Sequence, residues 1–486
     1  MRLAELLDGH RDLLRDSSQP LPDIEVHGLQ YDSRMVKAGD LFFAIPGYRD
    51  DGRRYIDEAI RAGAAAVVAE GAAPAPVAVV VGDVRTAMAL LAARFYGNPA
   101  AAMEMVAITG TAGKTTTSYL ARSIFEAAGR RTGLVGTINY WIIDRKLPAP
   151  NTTPESLDLQ RLLARMRDAG VATVVMEASS HGIELRRVAG IGFQVAAFTN
   201  FSQDHLDFHG TMDQYFLSKR RLFEGLGAAA AAVINRDDPK YDEVAAATGS
   251  RIIDFGVDRT ATVMASDIAG SIDGSRFTLR VEGRAAAVRL ALPGRHNVSN
   301  ALCAAAIAHA RGLGLDVIKQ GLERIAAVPG RFERVDAGQD FTVVVDYAHT
   351  PEELARLLAA ARAMTEGRII TVFGCGGDRD RAKRPQMGRA AADGSDEVFV
   401  TSDNPRGERP EAIIADILPG LNHRPHRVEP DRAAAIRAAV ARAQRGDLVI
   451  IAGKGHEDYQ IIGDERIHFD DRETALAAIR QRPGST

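Results

Sequence analysis

One junction constrains this chain more than any other feature. The apolar run Met105–Thr109 leads directly into Gly110-Thr111-Ala112-Gly113-Lys114-Thr115-Thr116, and a helical pattern, Thr117–Ala128, follows at once. A strand that ends in a glycine-rich turn and feeds a helix is the opening of a βα unit, and such units build parallel sheets that gather ligands at their strand carboxyl ends. The turn has its own chemistry. Its backbone N–H groups face an anion, the helix N-terminus adds a positive dipole end, Lys114 supplies a point charge, and Thr115 offers a hydroxyl to magnesium. The G-x-x-G-K-T spacing is two residues shorter between its glycines than the common phosphate loop. The expected ligand is a nucleoside triphosphate, cradled by Gly110, Thr111, Ala112, Gly113, Lys114, Thr115 and Thr116.

Comparable β-rich runs recur at Val171–Met176, Val195–Thr199, Thr342–Val345, Arg368–Phe373, Asp396–Thr401 and Asp447–Ala452, several ending in glycine or polar residues. Leu159, Leu162, Leu163 and Met166 repeat at helical spacing and stop before Gly170, which predicts an amphipathic helix closed by a glycine. Turn residues at Tyr96-Gly97-Asn98-Pro99 and Val328-Pro329-Gly330 divide the chain into 1–98, 99–328 and 329–486. At about 150 residues per domain, 486 residues suit three domains. The expected fold class is therefore α/β in three domains, the central one a parallel sheet of the P-loop ATPase kind.

Sixty basic residues against 63 acidic ones leave a net charge of −3, so no global field attracts nucleic acid or an acidic membrane, and any anion site is local. Cys303 and Cys375 are too few for a disulfide framework, which suits a reducing compartment. Acidic residues interrupt the N-terminal apolar stretch, and no run approaches the roughly 20 apolar residues of a membrane span. A cytoplasmic, monomeric protein without an integral membrane segment is expected.

Two further strand ends carry metal-competent groups. Glu177 follows Val171–Met176, with Ser179, Ser180 and His181 next, and His205 follows Val195–Thr199. A carboxylate binds magnesium directly and a neutral imidazole completes a mixed site, so the pair suits a metal beside phosphates. His205 and His209 also share the i, i+4 spacing of a zinc helix, but Leu206 stands where such a protease carries its base. Lys219 alone reads as an exposed helical lysine.

Taken together, Gly110–Thr116, Glu177–Gly182, Thr199–Gly210, Asp403–Arg406 and Gly453–Glu457 resemble the Mur ligases, ATP-dependent enzymes that build the peptidoglycan stem peptide. The likeness runs from Asp32-Ser33-Arg34 and Ala38-Gly39-Asp40-Leu41-Phe42 to Gly453-Lys454-Gly455-His456-Glu457-Asp458. It implies an N-terminal UDP-binding α/β domain, a central ATP-binding domain and a C-terminal Rossmann-like α/β domain that takes the amino acid. It also implies the chemistry. ATP phosphorylates the D-glutamate side-chain carboxylate of UDP-MurNAc-L-alanyl-D-glutamate, an incoming diamino acid attacks the acyl phosphate, and an amide, ADP and phosphate result.

Residue by residue, the resemblance places Thr115 and Glu177 at a first magnesium ion and His205 with a carbamylated Lys219 at a second, with Lys114 on the phosphates. Carbamylation turns a cation that repels magnesium into an anionic oxygen ligand. Tyr31 and Ser33, with the segment near Gly47, match uridine contacts, while Asn151, Thr152, Thr153, Ser179 and Arg187 match contacts to the muramoyl dipeptide. Leu185 stands where many relatives carry glutamine, a departure at that substrate hydrogen bond. Asn297, Arg331 and Asp346 resemble nucleotide contacts.

Asp403-Asn404-Pro405-Arg406 resembles the meso-diaminopimelate version of the motif and differs from that of lysine-adding relatives. Meso-diaminopimelate has a carboxylate that lysine lacks, and a planar guanidinium binds it through two charge-assisted hydrogen bonds. Arg379 resembles a second carboxylate partner, with Gly453 and Glu457 toward the distal ammonium. Two other readings compete: another amide ligase of the superfamily, such as a folylpolyglutamate synthase, and a nucleotide-binding regulator without chemistry.

Overall fold

Short runs of buried β-branched residues set the architecture, and a computed structural model describes it for residues 1–16, 22–47, 50–71, 75, 77–422 and 424–482. Two units result: Met1–Ser266 with Leu279–Ala286 and Ser299–Leu322, and Glu323–Thr486 with Asp267–Thr278 and Ala287–Val298.

The first unit opens with a parallel sheet of β1 (Gly28–Gln30), β2 (Asp40–Phe43), β3 (Ala66–Ala69) and β4 (Ala78–Val80), in that order. A larger sheet follows, formed by β5 (Glu104–Thr109), β6 (Thr132–Val135), β7 (Asn139–Ile142), β8 (Arg145–Pro148), β9 (Thr173–Glu177), β10 (Val195–Phe198), β11 (Ala231–Asn235), β12 (Arg251–Gly256) and β13 (Val263–Ser271). From β13 its spatial order runs β13-β12-β11-β10-β5-β9-β6-β7-β8, parallel from β13 to β6, with β7 antiparallel to both β6 and β8. Strand β5 thus lies between β10 and β9, so the turns that follow all three strands open along one edge. Every residue of β9, β10 and β11 is buried, as expected for parallel strands covered on both faces. Two more strands, β14 (Gly274–Val281) and β15 (Arg284–Leu290), lie where the chain passes between units.

The second unit carries β16 (Glu333–Arg334), β17 (Thr342–Asp346), β18 (Ile369–Phe373), β19 (Glu397–Val400), β20 (His426–Val428) and β21 (Leu448–Ala452), ordered β16-β17-β21-β18-β19-β20 and parallel except for β16. Alternate residues serve opposite cores: Val344 and Ile450 join Leu354 and Leu358 on one side, while Val343 and Val449 join Ile436 and Ile479 on the other. A separate hairpin pairs β22 (Tyr459–Ile462) with β23 (Glu465–His468).

The sequence expectations need small corrections. The strand expected at Val171–Met176 starts two residues later and takes in Glu177, because the N–H of Val171 still donates to Met166 O at 3.0 Å and so closes the preceding helix, Ser156–Asp168. That helix buries Leu159, Leu162, Leu163 and Met166, and Gly170 takes the left-handed conformation after it, at φ 76°. The helix expected from Thr117 begins at Lys114. His205 and His209 do not share a helix, because His205, at φ 51°, lies outside the four-residue helix Leu206–His209. Lys219 is not an exposed lysine but 1% accessible. Both cysteines are buried and unpaired, and no helix among the described residues is long and apolar enough to cross a membrane.

Candidate active site

The glycine-rich turn after β5 folds as its sequence requires. Gly113 has φ 84° and precedes the helix Lys114–Ala127, and a Cβ there would lie 2.3 Å from Asn300 Oδ1. A Cβ on Gly110, at φ 144°, would lie 1.9 Å from Thr199 Oγ1 at the end of β10. Both positions therefore exclude a side chain. Across the turn, Ala112 N donates to Asn200 Oδ1 at 2.9 Å and Thr199 Oγ1 donates to Ala112 O at 2.6 Å, so the segment after β10 braces the loop. Lys114 Nζ donates to Gly110 O and Thr111 O, each at 2.8 Å, which holds the ammonium over the turn.

Glu177 meets this loop from β9. Its buried carboxylate accepts from Thr115 Oγ1 at 3.0 Å, from Thr137 N at 2.9 Å and from Thr137 Oγ1 at 2.9 Å. Gly136 must be bare because a Cβ there would lie 2.3 Å from Glu177 Oε1. A hydroxyl beside a carboxylate, both at the mouth of a phosphate-type loop, is a hard oxygen donor set that fits magnesium. Thr137 is a site residue that the sequence reading missed; its signal was the Gly-Thr pair directly after the apolar end of β6.

Lys219 enters from the helix Met212–Glu224 and donates to Gly110 O at 2.9 Å. Burial, reinforced by the Lys114 charge, holds its amine well below the ordinary lysine range. The His205 ring stacks edge-on to His181 at 4.8 Å and lies 3.3 Å from Asp204. Burial lowers His205, and its imidazole neighbours help burial push His181 down to about 4. Both rings are therefore neutral at physiological pH. No group of three or more His, Cys, Asp or Glu among the described residues forms a metal cage.

The dipeptide candidates gather beside Glu177. Thr153 Oγ1 donates to Glu177 O at 2.8 Å and accepts from Ser179 N at 3.0 Å, while Ser179 Oγ caps the next helix by accepting from Gly182 N. Arg187 donates to Thr153 O at 2.9 Å and pairs with Glu155 at 2.7 Å. Thr152 shares a hydroxyl contact with Thr137 at 3.1 Å, Asn151 is exposed, and Leu185 ends the helix Ser180–Glu184. Tyr31, Ser33 and Gly47 line a cavity of about 480 Å³ with Phe42, Arg85 and Glu155.

The remaining candidates belong to the second unit. Asn297 is buried and donates to Pro293 O at 2.8 Å. Asp346 ends β17 and accepts from Phe332 N and Ala348 N, and its burial raises its carboxyl. The Arg331 guanidinium lies 5.0 Å over the Tyr347 ring.

Loops after β18, β19 and β21 meet at adjacent strand ends. Asp403–Arg406 follows β19 and Gly453–Glu457 follows β21, where a Cβ on Gly453 would lie 2.7 Å from Asp403 Oδ2. Arg406 Nη1 donates to Gly377 O at 3.0 Å, and a Cβ on Gly377 would strike Pro405 O at 1.8 Å. Asn404 Nδ2 donates to Glu457 Oε2 at 2.8 Å. Arg379 is exposed, with a long contact to Asp378 O at 3.5 Å, and it flanks Gly376 together with Arg406: a Cβ on that glycine would lie 2.9 Å from Arg406 Nη1 and 3.7 Å from Arg379 Cγ. The sequence reading gave Lys454 no role, yet it is fully buried and donates to Asn404 Oδ1 at 3.1 Å and Glu457 Oε2 at 2.9 Å. A lysine between two glycines after an apolar strand was the available signal.

Three family models match the chain in order: the Mur ligase family catalytic domain at 25–96, the Mur ligase middle domain at 108–308 and the glutamate ligase domain at 330–455. The chain belongs to the Mur ligase family, and its fold is that family's three-domain α/β fold with mostly parallel sheets. Among its relatives, the UDP-N-acetylmuramoyl-L-alanyl-D-glutamate--2,6-diaminopimelate ligase of Solibacter usitatus is 46% identical over 99% of this chain and 98% of its own. The enzyme of the same name from Bacillus licheniformis is 45% identical over 99% of both chains. A solved structure of a ligase with that name matches with a TM-score of 0.70 at 33% identity, covering 99% of each chain.

Proposed function

We propose that this chain is an ATP-dependent ligase that adds meso-2,6-diaminopimelate to UDP-MurNAc-L-alanyl-D-glutamate in cytoplasmic peptidoglycan synthesis. Full-length identity to ligases of that name supports it. The observation that carries the choice of amino acid is the Arg406 guanidinium, held 3.0 Å from Gly377 O in a loop whose Asn404 binds Glu457 at 2.8 Å. A cation for the second carboxylate and an anion for an ammonium then lie in one lobe. The domains are 1–98 for the uridine nucleotide, 99–328 for ATP and 329–486 for the amino acid, supported by the family matches at 25–96, 108–308 and 330–455.

A carboxylate resists amine attack until one oxygen becomes a phosphate leaving group, so the enzyme must first stabilise phosphoryl transfer. Lys114 and the N–H groups of Gly110–Thr116 hold the phosphates of ATP. Thr115 and Glu177 hold a first magnesium ion, and His205 with Lys219, as its carbamate, holds a second; bound magnesium neutralises charge on the transferring phosphoryl group. Asn297, Arg331 and Asp346 serve the nucleotide. Tyr31 and Ser33 hold uridine, and Asn151, Thr152, Thr153, Ser179 and Arg187 hold the muramoyl dipeptide. Arg379, Asp403, Asn404, Pro405, Arg406, Gly453 and Glu457 form the diaminopimelate subsite.

The deciding experiment measures ADP release from ATP, magnesium and UDP-MurNAc-L-alanyl-D-glutamate, with meso-diaminopimelate and L-lysine in parallel. Dependence on meso-diaminopimelate is expected. A preference for lysine overturns the role of Arg406, and ATP binding without turnover favours a regulator instead.

A further inference from the structure

The hairpin β22–β23 stands apart from the six-stranded sheet, and an isolated two-stranded hairpin is marginally stable. Its hydrogen bonds go to the loop that contains Arg406. Gln460, 7% accessible, donates from Nε2 to Asp403 O at 2.6 Å. Ile461 N donates to Asn404 Oδ1 at 3.0 Å. Arg406 N donates to Ile461 O at 3.1 Å, and Gly463 N donates back to Arg406 O at 2.8 Å. Four bonds thus tie Gln460, Ile461 and Gly463 to Asp403, Asn404 and Arg406.

They matter because Arg406 has φ 51°, a left-handed conformation that an L-residue with a long side chain adopts only when its surroundings impose it. In an extended conformation the side chain would leave from another face of the loop. The two backbone bonds to Ile461 and Gly463 clamp the residue on both sides, and Gln460 anchors the loop's start.

We infer that the hairpin β22–β23 is the specificity-setting element of the amino-acid subsite, with Gln460 as its positioning residue: it fixes Arg406 to receive the carboxylate that distinguishes a dicarboxylic diamino acid from lysine. This rests on the proposed function above. Gln460 touches no reacting atom in this account; it acts through Asp403 and Arg406. Bidentate recognition demands placement within about 0.5 Å, which a loop without such support does not provide.

The test is a double-mutant cycle between Gln460→Leu and Arg406→Ala in the full-length enzyme, read as kcat and KM for meso-diaminopimelate and for ATP. Gln460→Leu alone is expected to raise the KM for meso-diaminopimelate about tenfold while the KM for ATP stays within about twofold. In the Arg406→Ala background the same change is expected to add almost nothing. Additive losses, or equal losses for both substrates, overturn the inference. Gln460→Met, which keeps the length but has no donor, provides the same reading if the leucine variant does not fold. Amide hydrogen exchange separates this inference from the proposed function. Faster exchange at Arg406 and Gly463 in the variant, with the sheet strands unchanged, supports the clamp even if the wild type proves to use another amine, and unchanged protection refutes it.

Discussion

The Lys219 amine donates to the carbonyl of Gly110, the first residue of the phosphate-type loop, at 2.9 Å, from a position 1% accessible to solvent. A buried lysine beside a second cation, Lys114, is an expensive arrangement unless the amine is neutral. Burial and the Lys114 charge lower its pKa, which favours the neutral amine, the form that reacts with carbon dioxide. Protonation increases as pH falls through that lowered value, so carbamate formation falls with it. Purified protein is expected to carry one added carbon dioxide at Lys219 by peptide mass after trapping, with more at alkaline than at acidic pH. Lys219→Ala is expected to lower ADP release about 100-fold or more. An unmodified lysine in fully active enzyme would remove the carbamate from the account.

Arg406 offers a sharper test of recognition than deletion does. Lysine keeps the charge but loses the planar fork, so Arg406→Lys is expected to lower kcat/KM for meso-diaminopimelate by about 10- to 100-fold with little change in the KM for ATP. Steady-state kinetics with each substrate varied in turn would show it. Equal kinetics for both forms would mean that the guanidinium geometry is not used.

How much of this was legible in the sequence varies with the physics involved. Gly110–Thr116 was readable because phosphate binding needs bare backbone, and the contacts facing Gly110 and Gly113 leave no room for a side chain. The places of Glu177 at the end of β9 and of Arg406 in the loop after β19 were readable from the apolar runs that precede them. Lys219 reads as exposed from its own helix alone, since burial is a tertiary property and the helix Met212–Glu224 gives no local sign of what covers it. Thr137, Lys454 and Gln460 escaped for a related reason: each acts on another site residue, and such pairings, 40, 50 and 57 residues apart in sequence, leave no periodic trace.

Arg384 is fully buried and binds Glu408 at 2.7 Å and Asp416 at 2.9 Å, so it ties the helix Lys383–Gly394 to the helix Pro410–Ile417 and the loop before it. The pairing pulls the Glu408 carboxyl down to about 2 and lowers Asp416 as well. A depressed carboxylate stabilises the fold above its unfolded value and loses that contribution as pH falls through the folded one. For Glu408 the window runs from about 4.5 down to about 2. Melting temperature against pH is expected to fall on entering this window, and Arg384→Met is expected to melt lower at neutral pH with a flatter acid limb. Parallel curves would show that the pair is thermodynamically silent.

Arg432 and Asp471 form a second buried pair, both with fully covered side chains, at 2.7 Å. Arg432 also donates to Ser402 O at 3.3 Å and Ala452 O at 3.0 Å, the carbonyls just before Asp403 and Gly453. Removing one partner leaves an uncompensated buried charge, so Arg432→Met is expected to cost about 3–5 kcal/mol in denaturant unfolding. The double variant Arg432→Met with Asp471→Leu is expected to recover much of that loss. Recovery of stability without recovery of the KM for the amino acid would assign the carbonyl contacts a role in the site as well as in the fold.

Tyr31 is held at the cavity it lines with Ser33 in the same way that Gln460 holds the loop after β19, by one directed bond. Its hydroxyl donates to Asp158 Oδ2 at 2.6 Å, and Asp158 is also held by Arg161 at 3.1 Å. Burial and the Asp158 carboxylate raise the phenol well above its ordinary range, which keeps it a donor at neutral pH. Tyr31→Phe keeps the ring but frees it to turn. Because Asp158 retains Arg161, the stability cost is expected to be only about 1 kcal/mol. The larger effect falls on binding, since the ring lines the cavity with Ser33. The KM for UDP-MurNAc-L-alanyl-D-glutamate is expected to rise several-fold, with the KM values for ATP and meso-diaminopimelate unchanged. Calorimetric titration with UDP alone separates the causes: weaker binding by Tyr31→Phe places the ring against uridine, and unchanged binding moves its contribution to the contact with Asp158.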